Sequence, residues 1–369
     1  MGEVIRKRET GGVSRHNEED EGIPMTEAGT QPLVTFLVPC YNSAEYMHVS
    51  IESLLKANRP IEIIVVNDGS TDDTLKIARN YEQQHPDVIR VIDQENAGWG
   101  GGVNNGIAQA RGLYFKVVDS DDYIGEEALI NVLETMERLI EEGQTPDLLV
   151  TNYVYDHQLD NTQYSIHYRG YFPEGRLFRW HEAHRSKLDQ LLMIHSTWYS
   201  TELLRTSGVH LPEKVCYMDS HLLLHPLPYV RTLYYLDVDA YHYQIGRAGQ
   251  SIDIEVMKNR IDQQLLATYM AIRDYDANVL VDFEPNMAEC YMRYFSAMAS
   301  VSTIYLFMIG TPEALQKNRA MWKTLYHENP VLFQRISRTP AYIANRRTLL
   351  GRKFSLFMYR VMQDKFKFA

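Results

Sequence analysis

Four predicted strands that alternate with helices, the first two of them buried, constrain this chain more than any other feature. They are predicted at "LVTFLV", "IEIIVV", "VIRVID" and "LYFKVV", and helical or glycine-containing segments separate them. Runs that are apolar on both faces are typical of parallel strands covered by helices on both sides. The alternation therefore predicts an α/β fold with a mostly parallel, Rossmann-like central sheet and flanking helices.

Polar side chains gather where these predicted strands end: Tyr41, Asn42, Asp68, Asp119 and Asp121. Ligands bind open α/β sheets at the carboxyl ends of the strands. In "VVDSDD", three carboxylates lie so close together that they need a cation to offset their repulsion. Hard carboxylate oxygens suit Mg²⁺ or Mn²⁺, which keep open positions for phosphate oxygens. The stretch predicts a D-x-D metal site, with a turn or capping cluster as the alternative; Asp122 is expected to cap the next helix.

Further candidates come from two polar stretches earlier in the chain. Asp68, in "VNDGSTDD", can accept hydrogen bonds from a nucleobase or a ribose, whereas it would repel a phosphate. The glycines of "NAGWGGGVNNG" would let the backbone approach a ligand ahead of a helix N-terminus. They follow the third strand, and no G-x-x-x-x-G-K-[ST] is present, which excludes a P-loop.

Two later stretches add titratable groups. Asp219 lies among apolar and aromatic residues in "EKVCYMDSHLL", where desolvation would raise its pKa and suit it to general base catalysis. A helix cap is the competing interpretation of Asp219. In "YHYQIGRAGQS", His242 is a candidate metal ligand and Arg247 a candidate phosphate partner, and ordinary surface positions are the alternative for both.

Composition narrows the class of partner and compartment. The net charge of −11 argues against a nucleic-acid partner. Three cysteines without pair spacing and a polar first thirty residues indicate a reducing, cytoplasmic location with no signal peptide. Residues 294–310 are apolar and are expected to form a buried core helix rather than a membrane span.

The C-terminal stretch is both basic and aromatic. Residues 335–369 hold nine Lys or Arg residues and a single acid, Asp364. Two interpretations remain open: a helix that packs its Phe and Leu residues on the protein body, or an amphipathic surface for anionic lipid headgroups. The second would place the protein peripherally at the inner face of a membrane.

Taken in order, six stretches resemble a family-two glycosyltransferase of the GT-A fold, of the type that builds bacterial cell-surface polysaccharide. They are "VPCYN", "VNDGSTDDT", "NAGWGGGVNNGI", "GLYFKVVDSDDYI", "VCYMDS" and "YHYQIGRAGQSI", and they span residues 33–252. The resemblance implies an enzyme that moves a sugar from a nucleoside diphosphate donor, expected to be a UDP-sugar, to a hydroxyl acceptor. It also implies Mn²⁺ or Mg²⁺ as cofactor and inversion at the anomeric carbon. The acceptor would be a carbohydrate or a lipid-linked molecule.

The resemblance also implies roles for individual residues. Asp121 would be the direct metal ligand, with Asp119 nearer the ribose and the metal, and Asp219 would deprotonate the acceptor. The implied donor contacts are Pro39 and Tyr41 at the nucleobase, Asp68 at the base or ribose, Asn96, Gly98 and Asn104 beside them, and Arg247 and Ser251 near the diphosphate.

Two departures from the family pattern stand out. Met218 occupies a position that is often glutamate, which leaves Asp219 as the sole base. Residues 102–104 read Gly-Val-Asn where many members have Ala-Arg-Asn, so one donor contact is missing.

The expected organisation is a disordered segment over residues 1–30, a transferase domain over 31–252 and a helical region with the basic tail over 253–369. A non-catalytic nucleotide-sugar-binding protein on the same fold is the alternative function. A nucleotidyltransferase is disfavoured, because "VPCYNSAEY" lacks its Gly-rich signature with Arg and Lys. The sequence leaves a homodimer open.

Overall fold

The computed structural model describes residues 31–366, apart from 159, 188, 248–249, 251–252, 275–283 and 346–347. The side chains of residue 340 and of residues beyond 361 are also outside the description. The predicted disordered segment, residues 1–30, and the predicted diphosphate contact Ser251 both lie outside the described residues.

The first half of the sheet is parallel and follows the predicted order. Its strands are β1 (Val34–Cys40), β2 (Ile61–Asp68), β3 (Ile89–Gln94) and β4 (Tyr114–Val117), arranged β3-β2-β1-β4. The connecting helices are α1 (Met47–Leu54), α2 (Thr74–Gln84) and α3 (Gly98–Gln109). Every residue of β2 is buried, as expected of a strand covered on both faces.

The second half of the sheet is mixed. Its strands are β5 (Tyr123–Ile124), β6 (Leu148–His157), β7 (Thr162–Ile166), β8 (Leu177–Phe178), β9 (Thr197–Ser200) and β10 (Leu233–Ile245). The order continues β4-β9-β6-β10-β5; β9 is antiparallel to both neighbours, and β10 is parallel to β6. At the side of the sheet, β7 pairs antiparallel with β6, and β8 pairs antiparallel with β10.

Helices cover the sheet through apolar stripes. α4 (Glu126–Glu141) buries Leu129, Val132, Leu133, Met136 and Leu139, which recur at the three- and four-residue spacing of one helix face. Each such side chain contributes about 1.5–3 kcal/mol on full burial. Short helices α5 (Thr201–Ser207) and α6 (Asp219–Leu224) lie in the connections before β10.

From residue 254 onward the described chain is helical. The helices are α7 (Ile254–Asn259), α8 (Ile261–Asp274), α9 (Pro285–Ile309), α10 (Pro312–Glu328), α11 (Pro330–Ile336), α12 (Pro340–Ala344) and α13 (Leu349–Phe366). α9 is long and apolar enough to cross a membrane, yet over half of its apolar window is buried by the other helices. The prediction of a mostly parallel sheet with flanking helices and a C-terminal helical region is confirmed.

Asn42, Ser70 and Thr71 do not cap the helices that follow them. α1 begins at Met47, five residues after Asn42, and Asn42 instead has a left-handed backbone (φ 50°). Its side-chain oxygen accepts a hydrogen bond from the Thr71 N–H at 2.8 Å. α2 begins at Thr74, whose N–H donates to the carboxylate of Asp72, so neither Ser70 nor Thr71 caps it. The bond between Asn42 and Thr71 joins the turns after β1 and β2.

Candidate active site

The turn between β4 and β5 places its three carboxylates in three different environments. Asp122 is fully buried and accepts a 2.5 Å hydrogen bond from the Tyr241 hydroxyl and a 2.8 Å bond from the Gln244 N–H. α4 starts after Gly125 with no side-chain cap, so the prediction that Asp122 caps that helix is wrong. Asp122 instead fastens the turn to β10, and burial raises its pKa well above the usual range.

Asp121 faces a small cavity and is paired with an arginine. The Arg247 guanidinium lies 2.5 Å from its carboxylate, and the Gln250 amide donates to the same oxygen at 3.3 Å. The guanidinium also lies 4.2 Å from the ring centre of Tyr46, in cation–π geometry. These four side chains line a cavity of about 250 Å³. The structure thus brings together the predicted metal ligand and the predicted phosphate partner.

Asp119 interacts electrostatically with both Asp121 and Asp219. The indole N–H of Trp99 donates to one of its carboxylate oxygens at 2.9 Å. Burial raises the pKa of Asp119 to about 7, and the negative charge of Asp121 adds to the shift, as does that of Asp219. The charges of two other acidic side chains therefore act on Asp119, which follows β4.

The residues present fit a divalent metal. Asp119 and Asp121 supply hard oxygen ligands of the kind that Mg²⁺ and Mn²⁺ prefer, and burial together with the charge of Asp121 raises the pKa of Asp119. Arg247 already supplies a positive charge to Asp121, which shows that this carboxylate attracts a cation.

His242 does not join these carboxylates. Neighbouring side chains of a strand point to opposite faces, and Tyr241 is the β10 residue that reaches Asp122. The His242 ring stacks on Tyr123 with centroids 4.4 Å apart, and its Nδ1 lies 3.9 Å from Asp156. In the structure His242 therefore contacts Tyr123 and Asp156, and its role as a metal ligand stays a prediction.

Asp68 is held by bonds from the protein itself. Its carboxylate accepts from the backbone N–H groups of Ala97 and Gly98, at 2.7 and 2.8 Å, and from the Gln94 amide at 2.8 Å. The Asn96 amide donates to the Asp68 carbonyl at 2.9 Å. The structure therefore groups Asp68, Asn96 and Gly98, with Asp68 anchoring the start of α3.

The glycine run that follows is helix rather than loop. A side chain at Gly98 (φ 76°) would meet the backbone of Lys214 at 2.9 Å, and one at Gly100 would meet the Pro212 carbonyl at 2.6 Å. The close approach made by Gly98 and Gly100 is to the protein's own chain, and contact of Gly98 with the donor stays a prediction. Asn104 likewise gives both ends of its amide to the backbone of Leu211, at 2.8 and 2.9 Å.

The expected nucleobase wall lies at the end of β1. Tyr41 is 54% exposed just beyond the strand, and Pro39 is half-buried in it, opposite Val66 of β2. The exposed ring of Tyr41 is available to a flat partner.

Asp219 is the first residue of α6 and is half-buried. Burial raises its pKa, although backbone N–H groups at the helix start act in the opposite direction. The residue two places before it, Tyr217, has a left-handed backbone (φ 65°), which is strained for a tyrosine. The position combines a perturbed carboxyl group with a constrained loop.

Sequence reasoning missed several residues that shape this site. Lys116 is fully buried in β4, and its ammonium donates to the carbonyls of Ile194, His195 and Thr197 while lying 4.8 Å from the Tyr241 ring. Burial lowers its pKa well below the usual range. The sequence did carry a signal for Lys116, because a lysine inside a strand of apolar residues is unusual. Trp99, a single aromatic residue among glycines, was a second signal.

Comparison with known proteins agrees with this geometry. Residues 35–196 match the model of glycosyl transferase family 2. EpsH of Bacillus subtilis, which is named as a glycosyltransferase, is 28% identical over 71% of this chain and 72% of its own length. The glycosyltransferase GlyG of Streptococcus pneumoniae is 36% identical over 36% of this chain and 44% of its own.

A solved structure extends the likeness to the fold. TarS of S. aureus superposes with a TM-score of 0.50 at 17% identity, covering 82% of this chain and 54% of TarS. At that identity the likeness supports the fold alone. With the family match, the named relatives and the acidic turn at the carboxyl edge of the sheet, residues 35–196 are a glycosyl transferase family 2 domain, and the chain is a glycosyltransferase.

Proposed function

We propose that this enzyme transfers a sugar from a nucleoside diphosphate donor to a hydroxyl acceptor, with inversion and with a divalent metal. The observation that carries the proposal is the electrostatic coupling of Asp119 to two other carboxylates: Asp121, which is paired with Arg247, and Asp219. A cation-attracting group and a candidate base thus both act on Asp119. A UDP-sugar is the proposed donor, on the resemblance of the motifs.

Asp121 and Asp119 would hold Mn²⁺ or Mg²⁺. The metal would offset the negative charge that develops on the departing diphosphate. Arg247 carries a fixed positive charge on the same cavity, so it is placed to pair with the diphosphate once Asp121 turns to the metal. Tyr46 would keep the guanidinium close to the site through its ring.

The transfer is a direct displacement in which Asp219 takes the proton. The acceptor oxygen attacks the anomeric carbon, the bond from that carbon to the diphosphate oxygen breaks, and the acceptor proton moves to the Asp219 carboxylate. A raised pKa makes Asp219 a stronger base than an exposed aspartate, provided that it is ionised at the working pH.

A panel of nucleotide sugars tests the donor. The protein's melting temperature would be measured with UDP-, GDP- and dTDP-sugars, each with and without Mn²⁺. The expected result is stabilisation by UDP-sugars that depends on the metal. Stabilisation by no donor would overturn the proposal, and stabilisation by a different base would correct its donor.

The acceptor is proposed to be lipid-linked and to be met at the inner face of a membrane. α13 exposes a stripe at helical spacing: Leu350, Phe354, Phe357 and Val361. Leu350 is 80% exposed and Phe357 61%, so the interpretation that this helix packs its apolar residues on the body is wrong for these positions. Lys353 and Arg360 are exposed beside the stripe. An apolar face flanked by cations is complementary to an anionic lipid surface.

Vesicle sedimentation tests this membrane contact. The full chain is expected to sediment with vesicles of phosphatidylglycerol and phosphatidylcholine, and much less with phosphatidylcholine alone. Leu350→Ser with Phe357→Ser should abolish binding, whereas Tyr326→Ser, an exposed aromatic on α10, should not. Equal vesicle binding by both variants would overturn the proposal. It would also be overturned if the full chain bound no vesicles and analytical ultracentrifugation showed that the stripe mediates self-association, which the Leu350→Ser, Phe357→Ser variant loses.

A further inference from the structure

A second group of possible metal ligands lies apart from the carboxylates described above. His221 and His225 are four residues apart, on α6 and its helical extension, so their rings share one face. The ring centres lie 5.0 Å apart. Asp274, at the end of α8, reaches between them: its Oδ2 lies 3.1 Å from Nδ1 of His221 and 3.8 Å from Nδ1 of His225.

These distances match the spacing of ligands around a tetrahedral ion. Zinc binds imidazole nitrogen and carboxylate oxygen at about 2.0–2.2 Å, which sets neighbouring ligand atoms about 3.4 Å apart. The two nitrogen-to-oxygen distances bracket that value, and all three ligand atoms lie within 4.8 Å of one another. A bound ion would fit with small side-chain adjustments.

A further bond orients one of the ligands. Nε2 of His225 lies 3.2 Å from the carbonyl oxygen of Ser207. If Nε2 carries the proton and donates to that carbonyl, Nδ1 presents its lone pair toward Asp274. Metal-binding histidines are commonly fixed in this way, with the outer nitrogen donating to a backbone carbonyl or a carboxylate.

The three side chains are partly or fully buried, unlike a chance group of exposed surface residues. His221 is 8% exposed, whereas the side chains of His225 and Asp274 are 28% and 33% exposed. The ligands come from two elements far apart in sequence, so the fold and not the local sequence assembles them. One side remains open to solvent, which allows an ion to enter and a water to fill the fourth position.

We propose that His221, His225 and Asp274 form a binding site for a divalent transition metal of the zinc class, distinct from the donor metal site. Two imidazoles and one carboxylate favour zinc over magnesium, which prefers oxygen ligands. The ion would tie α6 to α8. Since Asp219 begins α6, the site would hold the helix that carries the candidate base against the C-terminal helical region.

Zinc titration of the full chain tests the site. Every protein tested carries Asp121→Asn, which weakens metal binding at the donor site, and is first stripped with a chelator. Zinc alone is then titrated against a chromophoric chelator, and Co²⁺ is added to a separate sample. The expected result is one equivalent of tightly held zinc and the strong visible absorption of four-coordinate Co²⁺. Mg²⁺ in excess should not displace the zinc.

Substitutions locate the binding. His221→Asn, His225→Asn and Asp274→Asn should each weaken zinc binding by about tenfold or more. Asp274→Asn keeps the side-chain shape, so it remains informative if a histidine variant fails to fold; circular dichroism of the metal-free proteins checks this. His210→Asn, at an exposed histidine nearby in sequence, is the matched control and should bind zinc as before.

Two results would overturn the proposal. One is the absence of a bound equivalent of zinc in the Asp121→Asn protein. The other is zinc binding that none of the three substitutions weakens. Either result can occur while the protein with Asp121 intact still binds donor and transfers sugar, so failure here is distinguishable from failure of the proposed function.

Discussion

Removal of the Arg247 side-chain charge should affect metal and donor binding in opposite directions. In the structure the Arg247 guanidinium lies 2.5 Å from an oxygen of the Asp121 carboxylate, which the metal would need as a ligand. Arg247→Met keeps an apolar stem against Tyr46 but ends the competition for Asp121. Mn²⁺ alone should then bind more tightly, whereas the donor should bind more weakly because its diphosphate loses a cationic partner.

The size of the effect follows from the exposure of the pair. Two unit charges about 4 Å apart attract by about 4 kcal/mol at an effective dielectric constant of 20. The Arg247 side chain is 37% exposed and that of Asp121 is 21% exposed. Solvent screening and side-chain entropy therefore reduce the net value to about 1–2 kcal/mol, between exposed and buried pairs. Mn²⁺ affinity without nucleotide should rise about 5- to 30-fold.

Isothermal titration measures both constants. Mn²⁺ is titrated alone and then the UDP-sugar is titrated at saturating Mn²⁺. Arg59→Met is the matched control, because it removes a 2.7 Å ion pair with Glu137 on the far helix α4 and should change neither constant. Unchanged or weaker Mn²⁺ binding by Arg247→Met would refute the competition between the guanidinium and the metal.

Three further predictions concern the base and the stability of the site. Asp219→Asn should lower kcat by about 10²–10⁴-fold with donor affinity unchanged. Because burial raises the Asp219 pKa, wild-type kcat/KM should begin to fall with acid at a pH above the usual aspartate range. Full activity of the Asp219→Asn variant would exclude Asp219 as the base. Tyr241→Phe removes the donor to buried Asp122 and should lower the free energy of unfolding by about 1–3 kcal/mol in urea; no change would remove its anchoring role. Although burial opposes it, hydrogen bonds from Asn152, Tyr235 and Arg169 lower the Asp237 pKa to about 2. Asp237 therefore contributes about 2 kcal/mol to the free energy of unfolding above its unfolded pKa near 4, and this contribution is lost as pH falls toward 2. The free energy of unfolding, measured in urea at a series of acid pH values, should fall over this range more steeply in the wild type than in Asp237→Asn.

The overall sheet could be predicted because its signal is local. The runs in β1 and β2 are long and buried, and the polar residues that follow β1, β2 and β4 lie at the same edge of the sheet. The acidic turn after β4 was predictable for the same reason. Its position at a strand end, rather than its composition, distinguished it from an ordinary turn.

Side-chain direction could not be predicted. Asp121 and Asp122 are adjacent and identical in type, yet one faces the cavity and the other is buried against Tyr241. β10 pairs with β6 through two register irregularities, between Tyr235 and Asp239 and between Asp239 and Tyr241. Each irregularity changes which residues face the site, and this is why Tyr241 and not His242 points toward the carboxylates.

Long-range pairings were also invisible in the sequence. Asp68 looked free for a ligand because its partners, the N–H groups of Ala97 and Gly98, come nearly thirty residues later. The approach of Asp274 to His221 and His225 spans about fifty residues and depends on how α8 packs against α6. Such contacts are set by tertiary packing, on which local patterns carry no information.

Turnover by an Asp121→Ala variant tests the central claim most directly. Release of UDP from its sugar donor would be measured for wild type and variant across a series of Mn²⁺ concentrations. The assignment of Asp121 as metal ligand predicts metal-dependent release by the wild type and loss of that dependence, with most of the activity, in the variant. Full metal-dependent turnover by Asp121→Ala would contradict it.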